Sequence, residues 1–500
     1  MNVANNKLKL AFILATVSLC CCSNASKNVP DVFPDSPDDN NVEVRAPYKV
    51  PTRKNSTSST WTTYDAYTLD CLKGFIKGKA EPATDKYGGW KVGNNAATGF
   101  FRVEKIGGRW WLITPEGNLY ISKGVTAFSP GNSARSKSEL QKKFGTVAEW
   151  AKKEIVNLKD MGFNSVGAWS SDSEILRLKD EEKIPYTVIV SPMWALNRAM
   201  KSRGEEKEGY AAAGWEGYPY DFASVFSPEF DKLVEEKIKN TVSKYKDDPY
   251  CIGYFTDNEI PWKDYALEKC LTKWPAGHLN HDKAQEWLDA RKGKTGATIS
   301  DATDSDKKAF IAYCLETYLQ KVTSALKKYD PNHLYLGCRF NQWNYELKNE
   351  EIFKVAGKYM DVISLNHYQK WEPDETVMRN WELWSGRPFL VTEFYVKGED
   401  SGLPNATGAG WNVKTQKERG YFYQNFVRVL VKGGTCIGWH WFRYMDNDPE
   451  DTSADPSNRD SNKGIVKWNF DYWTPLSEEM NTFNHNVWNL INYYDDHTKK

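Results

Sequence analysis

Short, nearly continuous apolar runs recur along the chain and alternate with stretches of helical period. In order they are YISKGVTAF, FNSVGAW, IPYTVIV, YCIGYFT, HLYLGCRF, MDVISLNHY, PFLVTEF and TCIGWHWF. Runs of this kind, without polar alternation, predict strands buried on both faces. Between them, Val147, Ala151, Ile155 and Leu158 fall on one helical face, and Gly162 stops that helix. A short helix is expected over 175–179. Ser227, Pro228 and Glu229 open another, whose face carries Phe230, Val234, Ile238 and Val242. Further helices are expected at about 306–329 and 417–432. Eight strand-like runs with helices between them predict an α/β fold, a (β/α)8 TIM barrel over 121–500. The rival is an open doubly wound sheet. Its nucleotide-binding version is weakened because no glycine-rich phosphate loop follows the first run.

The pattern before the barrel is different. The stretch GFFRVEKIGGRWWLITPEGNLYISKGV alternates apolar and polar residues around Gly107-Gly108 and Pro115-Glu116-Gly117. It predicts three short strands joined by turns, an N-terminal β segment over 61–120 packed on the barrel. Residues 23–60 are rich in Asp, Pro, Asn, Ser and Lys and predict a disordered tether. Residues 1–22 begin with Lys7 and Lys9 ahead of LAFILATVSLCCC, an apolar run too short to span a bilayer as a mature helix. Leu19 lies three residues before Cys22, which resembles a bacterial lipoprotein signal with lipidation at Cys22 or Cys21. The plainer reading is an ordinary signal peptide with incidental cysteines. Either reading implies export. The first implies an outer-membrane lipoprotein, on the cell surface or the periplasmic side, that meets the membrane only through its anchor.

Composition narrows the partners. Lys+Arg 66 against Asp+Glu 66 gives a formal net charge of +0, which argues against nucleic acid as a general partner. With Trp 21, the aromatic share offers flat platforms for sugar rings, although packing explains most indoles. Cys71, Cys251, Cys270, Cys314, Cys338 and Cys436 show no C-x-x-C spacing, so no zinc site is expected, and core filling suits them better than bridging. The acidic stretch MDNDPEDTSAD lacks the regular spacing of a calcium loop and reads as a solvated turn. No metal and no organic cofactor is expected.

A barrel keeps its chemistry at the carboxyl ends of its strands. Glu259 ends the fourth run, in YFTDNE, and Glu393 ends the seventh, in FLVTEF. Strands four and seven face each other across a barrel mouth. Two facing carboxyls are what glycoside hydrolysis needs: one protonates the leaving oxygen, and the other attacks the anomeric carbon or activates water. Single glutamates at strand ends are common, and the pairing is the more specific signal. Asn258 adds an amide that can hydrogen-bond a sugar hydroxyl near the scissile bond.

These residues resemble the clan A glycoside hydrolases, retaining (β/α)8 enzymes with Asn-Glu after strand four and Glu after strand seven. RWWLITPEGNLYISKGV, YFTDNE, LYLGCRF, ISLNHY, GWHWFRYMDND and NKGIV resemble glycoside hydrolase family 50, the β-agarases, from about residue 107 to about 472. The resemblance implies Glu259 as acid/base and Glu393 as nucleophile in a double displacement on agarose or agaro-oligosaccharides. It also implies a hydrogen bond from Tyr368 to the nucleophile, set against a plain core tyrosine, and an aromatic floor at the end of run eight. Strand alternation puts His440 and Trp441 on opposite sides there, and both stay candidates. Asn366 and His367 lie beside Tyr368, and one of them is expected to face the cleft. Arg339 ends run five and suits either a sugar hydroxyl or a carboxylate. Trp169, Trp194, Trp262, Trp343 and Trp371 lie just past strand-like runs, with Trp169 and Trp371 the named platforms. The segment after run three, MWALNRAMKSRGEEKEGYAAAGWEGYPYDF, is expected to form a cleft wall. In this chain only a short stretch precedes the barrel, where agarases of the family usually carry a larger N-terminal module. Two rivals remain: the same chemistry on another neutral polysaccharide (galactan, glucan or mannan), and a non-catalytic surface glycan-binding protein.

Overall fold

The computed structural model describes residues 48–53, 58–204, 218–341 and 345–498. The expected signal sequence with Cys21 and Cys22, most of the expected tether, and Trp343 lie outside the described residues. The fold is mixed α/β, built on a curled nine-stranded sheet whose neighbouring strands are all parallel. Seven of the eight apolar runs each supply one strand: Ser122–Val125, Ser165–Val166, Tyr186–Val190, Cys251–Thr256, Ile363–Asn366, Phe389–Glu393 and Cys436–Trp441. Run five supplies two, Leu334–Tyr335 and Phe340–Asn341. These two pieces are the two ends of the sheet order. The first pairs with run four and the second with run six. Between them Gly337 takes φ +85°, and its carbonyl accepts the Thr256 N–H.

The helices form where side-chain caps and apolar stripes coincide. Ser227 caps Pro228–Tyr245, and Phe230, Val234, Ile238 and Val242 are its buried face, as the periodicity predicts. That helix packs against the strand Tyr186–Val190 and the helix Asp304–Tyr329. Thr303 and Asp306 cap Asp304–Tyr329 reciprocally, and Thr415 with Glu418 does the same for Gln416–Lys432. Two details differ from the expectation. In Val147–Asp160 the buried stripe is Trp150, Ala151, Glu154, Ile155 and Leu158, while Val147 at the first turn is exposed. The short helix is Asp172–Arg177, an earlier start than 175–179. The segment after run three opens with a helix of its own, Pro192–Ser202.

The N-terminal segment folds into two small sheets. Arg102–Ile106, Arg109–Ile113 and Leu119–Tyr120 form an antiparallel sheet. Gly107 and Gly108 both take positive φ, 63° and 89°, as a two-residue turn that matches strand twist requires. The other sheet corrects the tether boundary. Tyr48–Arg53, within the 23–60 stretch read as disordered, is a strand paired with Thr62–Ala66 and with Trp411–Val413. All six cysteines among the described residues are buried free thiols. No helix among the described residues is long and apolar enough to cross a membrane.

Candidate active site

The loops at the carboxyl ends of runs four to seven converge. After the strand Cys251–Thr256 the chain turns sharply, with Asp257 and Glu259 in the left-handed region at φ 54° and 50°. Backbone bonds hold this turn to both neighbours: Asp257 N–H donates to the Val190 carbonyl, and Glu259 N–H to the Arg339 carbonyl. Arg339, at φ 53° within the break in run five, is fully buried. Asn366 and Glu393 are the last residues of their strands.

Hydrogen bonds connect these side chains into one cluster. Asn366 Nδ2 donates to Glu259 Oε1 at 2.7 Å and to Asn258 Oδ1 at 3.2 Å. Arg339 Nε donates to the same Asn258 oxygen at 2.8 Å, and its Nη2 forms an ion pair with Glu393 Oε1. The Tyr368 hydroxyl donates to Glu393 Oε2 at 2.5 Å, and Trp169 Nε1 reaches Glu393 Oε1 at 3.2 Å. Glu259 and Glu393 are almost wholly buried. Burial, and then the charge of Glu393, push the Glu259 carboxyl up to about 7, against the pull of Asn366, Arg339 and Asn341. Among the described residues, Glu393 meets three donors. A carboxyl whose proton affinity is raised, beside a second carboxyl lined by three donors, is an arrangement that suits acid-and-nucleophile chemistry.

Trp169 lies at the rim, 42% exposed, with φ 66°. Three expected contacts are absent from this cluster. Trp441 is wholly buried on the helix side, donating to the Lys463 carbonyl and packing on Phe422 and Tyr423. His440 does point inward, but it is wholly buried, with Nε2 2.9 Å from Ser122 Oγ. A Cβ added at Gly124 or Gly167 would strike its ring, so His440 fills the inner side of the curled sheet against the strands Ser122–Val125 and Ser165–Val166. Trp371 is 6% exposed; its indole donates to the Asp65 carbonyl and stacks on Trp411, which makes it the seat of the N-terminal sheet. Trp262 is likewise buried, against Tyr318, whereas Trp194 is 45% exposed. The His367 side chain packs against Trp381 and Phe426, so Asn366 is the one of that pair that enters the cluster. In the acidic stretch, Asp446 accepts from Asn462, Trp473 and the backbone of Lys463 and Gly464. No group of three or more potential metal ligands occurs among the described residues.

No family model matches the chain. Beta-agarase B of Vibrio sp. (strain JT0107) is 26% identical, over 82% of this chain and 50% of that protein. The chain thus spans about half the length of the curated relatives it matches. The crystal structure of BpGH50 is 30% identical, with a TM-score of 0.77 over 90% of this chain and 96% of that one. The chain belongs to glycoside hydrolase family 50. The fold is also shared with an agarase, AgWH50C, at 23% identity and a TM-score of 0.65, over 82% of this chain and 67% of that one.

Within this family-50 chain, three residues of the cluster escape a reading of the sequence. Asn341 bonds Glu259 from the second piece of run five; its signal is a polar residue closing an apolar run. Asp257 sits in the Asp-Asn-Glu triplet itself, yet it faces away from Glu393. It accepts from Met193 N–H, Trp194 N–H and the Tyr318 hydroxyl at 3.1, 3.0 and 2.8 Å. Thr392 contacts Asn366 and has no signal beyond its place beside Glu393.

Proposed function

We propose that the protein is a retaining glycoside hydrolase that cuts the β-galactosidic bonds of agarose or agaro-oligosaccharides. Glu259 protonates the leaving oxygen while Glu393 attacks the anomeric carbon. Glu259, now a carboxylate, then takes the proton of the water that releases the glycosyl group from Glu393. The supporting observation is the convergence of both carboxyls in one hydrogen-bonded cluster, joined through Asn366, Asn258 and Arg339. Trp169 supplies an indole face beside Glu393, and the amide nitrogen of Asn258, whose oxygen is taken by Arg339, is the donor for a sugar hydroxyl. The substrate follows from the family and from the agarase relatives. The sheet is read as a closed eight-stranded barrel, because run five pairs with run four at one end and run six at the other. Export and lipidation at Cys22 belong to the same reading.

The test is product sizing over time on agarose and on galactan, glucan and mannan. Agaro-oligosaccharides are expected, with the first-formed anomer retained by NMR. Glu259→Gln and Glu393→Gln are each expected to lower release by about 10³-fold. Cleavage of another polymer but not agarose overturns the substrate, an inverted anomer overturns double displacement, and wild-type rates in both variants overturn the site.

A further inference from the structure

The run-seven strand, Phe389–Glu393, carries a bulge beside the two carboxyls. Leu365 pairs with Val391, but the next residue, Asn366, pairs with Glu393, so Thr392 is left without a partner in the ladder. Bulges of this kind re-aim side chains next to active sites. The freed Thr392 hydroxyl turns to strand six, 2.7 Å from Asn366 Oδ1 and 3.0 Å from the Leu365 carbonyl oxygen. Thr392 is wholly buried.

The donors in this cluster form a forced sequence. A guanidinium has only donors, so the Asn258 atom facing Arg339 Nε is its oxygen. That oxygen also faces the Asn366 amide, so the Asn366 atom there is its nitrogen, which then donates to Glu259 as well. The Asn366 oxygen is thereby turned to Thr392, the residue that supplies its proton. Thr392 thus closes a chain that begins at Arg339 and ends on Glu259.

We infer that Thr392 is a positioning residue of the active site: its hydroxyl holds the Asn366 amide with the nitrogen toward Glu259, and so sets the pH at which the acid gives up its proton. The inference rests on the acid/base role proposed for Glu259. Asn366 favours the charged form of Glu259, opposing burial and Glu393. Loss of the clamp therefore raises the proton affinity of Glu259. The other charged and titratable groups around the pair are unchanged by a substitution at 392. They are Glu393, Arg339, Tyr368, Asp257 on the same turn, Arg443 beyond Cys436–Trp441, and His440, which feels the charge of Arg339.

The experiment compares kcat/KM against pH on an agaro-oligosaccharide for wild type, Thr392→Val and Thr392→Ser. Thr392→Ala, which also lacks the hydroxyl and crowds nothing, is carried in parallel in case the valine variant does not fold. The alkaline limb is expected to move up by on the order of one pH unit in the valine and alanine variants. It is expected to stay at the wild-type position in the serine variant. An unmoved or lowered limb without the hydroxyl, or a serine limb that moves as far, overturns the inference. Glu259→Gln, assayed on an aryl β-galactoside whose leaving group needs no acid, separates the two layers. If its alkaline limb persists, the acid assignment fails and takes this inference with it. If its limb is gone while the Thr392 variants keep theirs in place, only the role of Thr392 fails.

Discussion

Glu259 meets amides, while Glu393 meets a guanidinium, a phenol and an indole. The Asn366 nitrogen donates to Glu259, and Glu393 accepts from three donors, one of them a cation. The pH sign follows. The acid must hold its proton, and burial with the charge of Glu393 moves that proton's loss up to about 7. Activity should therefore fall as pH rises through that region, well above the ordinary carboxylate range. Tyr368 gives a sharper test of Glu393. Tyr368→Phe keeps the ring, which packs edge-on to Tyr395, and removes only the donor to Oε2. A hydrogen bond to a charged group contributes about 1.5–3 kcal/mol, so kcat/KM should fall about 10- to 100-fold. Wild-type kinetics in that variant would mean that the phenol only packs.

The elements aim these side chains through strained strand ends. Trp169, Asp257, Glu259, Arg339 and Gln369 all have positive φ just past a strand or a break in one, a conformation costly for residues with a Cβ. Asp257 anchors the turn that presents Glu259 by accepting from the first turn of Pro192–Ser202 and from Tyr318. Burial outweighs these donors and pushes its carboxyl up to about 7. A carboxyl raised on folding stabilises fully below its unfolded value and loses that contribution as pH rises through the folded one. Asp257→Ala should thus lower Tm most at about pH 4, with the gap to wild type narrowing toward pH 8 and kcat reduced throughout. An equal gap at both ends, read by calorimetry, would show that Asp257 stays charged. The strands and their terminal glutamates were legible because double-sided burial leaves continuous apolar runs. The facing of His440 and Trp441 was not, since alternation fixes two sides without naming them. Nor was the bulge at Thr392, which depends on pairing with strand six. Leu279–Lys292 has only Asn280, Ala284 and Leu288 buried, too thin a stripe to read as a helix.

At the scale of the molecule, the hidden feature is the strand Tyr48–Arg53. Its residues, YKVPTR, mix polar and apolar side chains around a proline, so alone they look like tether. What orders them lies far along the chain. Trp411–Val413 pairs with this strand, Tyr48 stacks on Tyr421 at 3.7 Å, and Tyr64 of the adjoining strand leans on Trp371 and Trp411. Contacts at such separation leave no local pattern. Trp411–Val413 also pairs with Val396–Gly398, three residues beyond Glu393, so the N-terminal sheet braces the loop that leaves strand seven. Removal of residues 48–66 should therefore do more than shorten the chain. It uncovers Trp371 and Trp411 and strips the Trp371 indole of its acceptor. Two indoles and their lost partner bond amount to several kcal/mol, on the order of 10 °C in Tm for a domain of this size. Calorimetry on the truncated protein should show one transition, shifted down, with kcat/KM reduced because the loop after Glu393 has lost its brace. An unchanged Tm, with full activity, would mean that the two sheets fold and work independently.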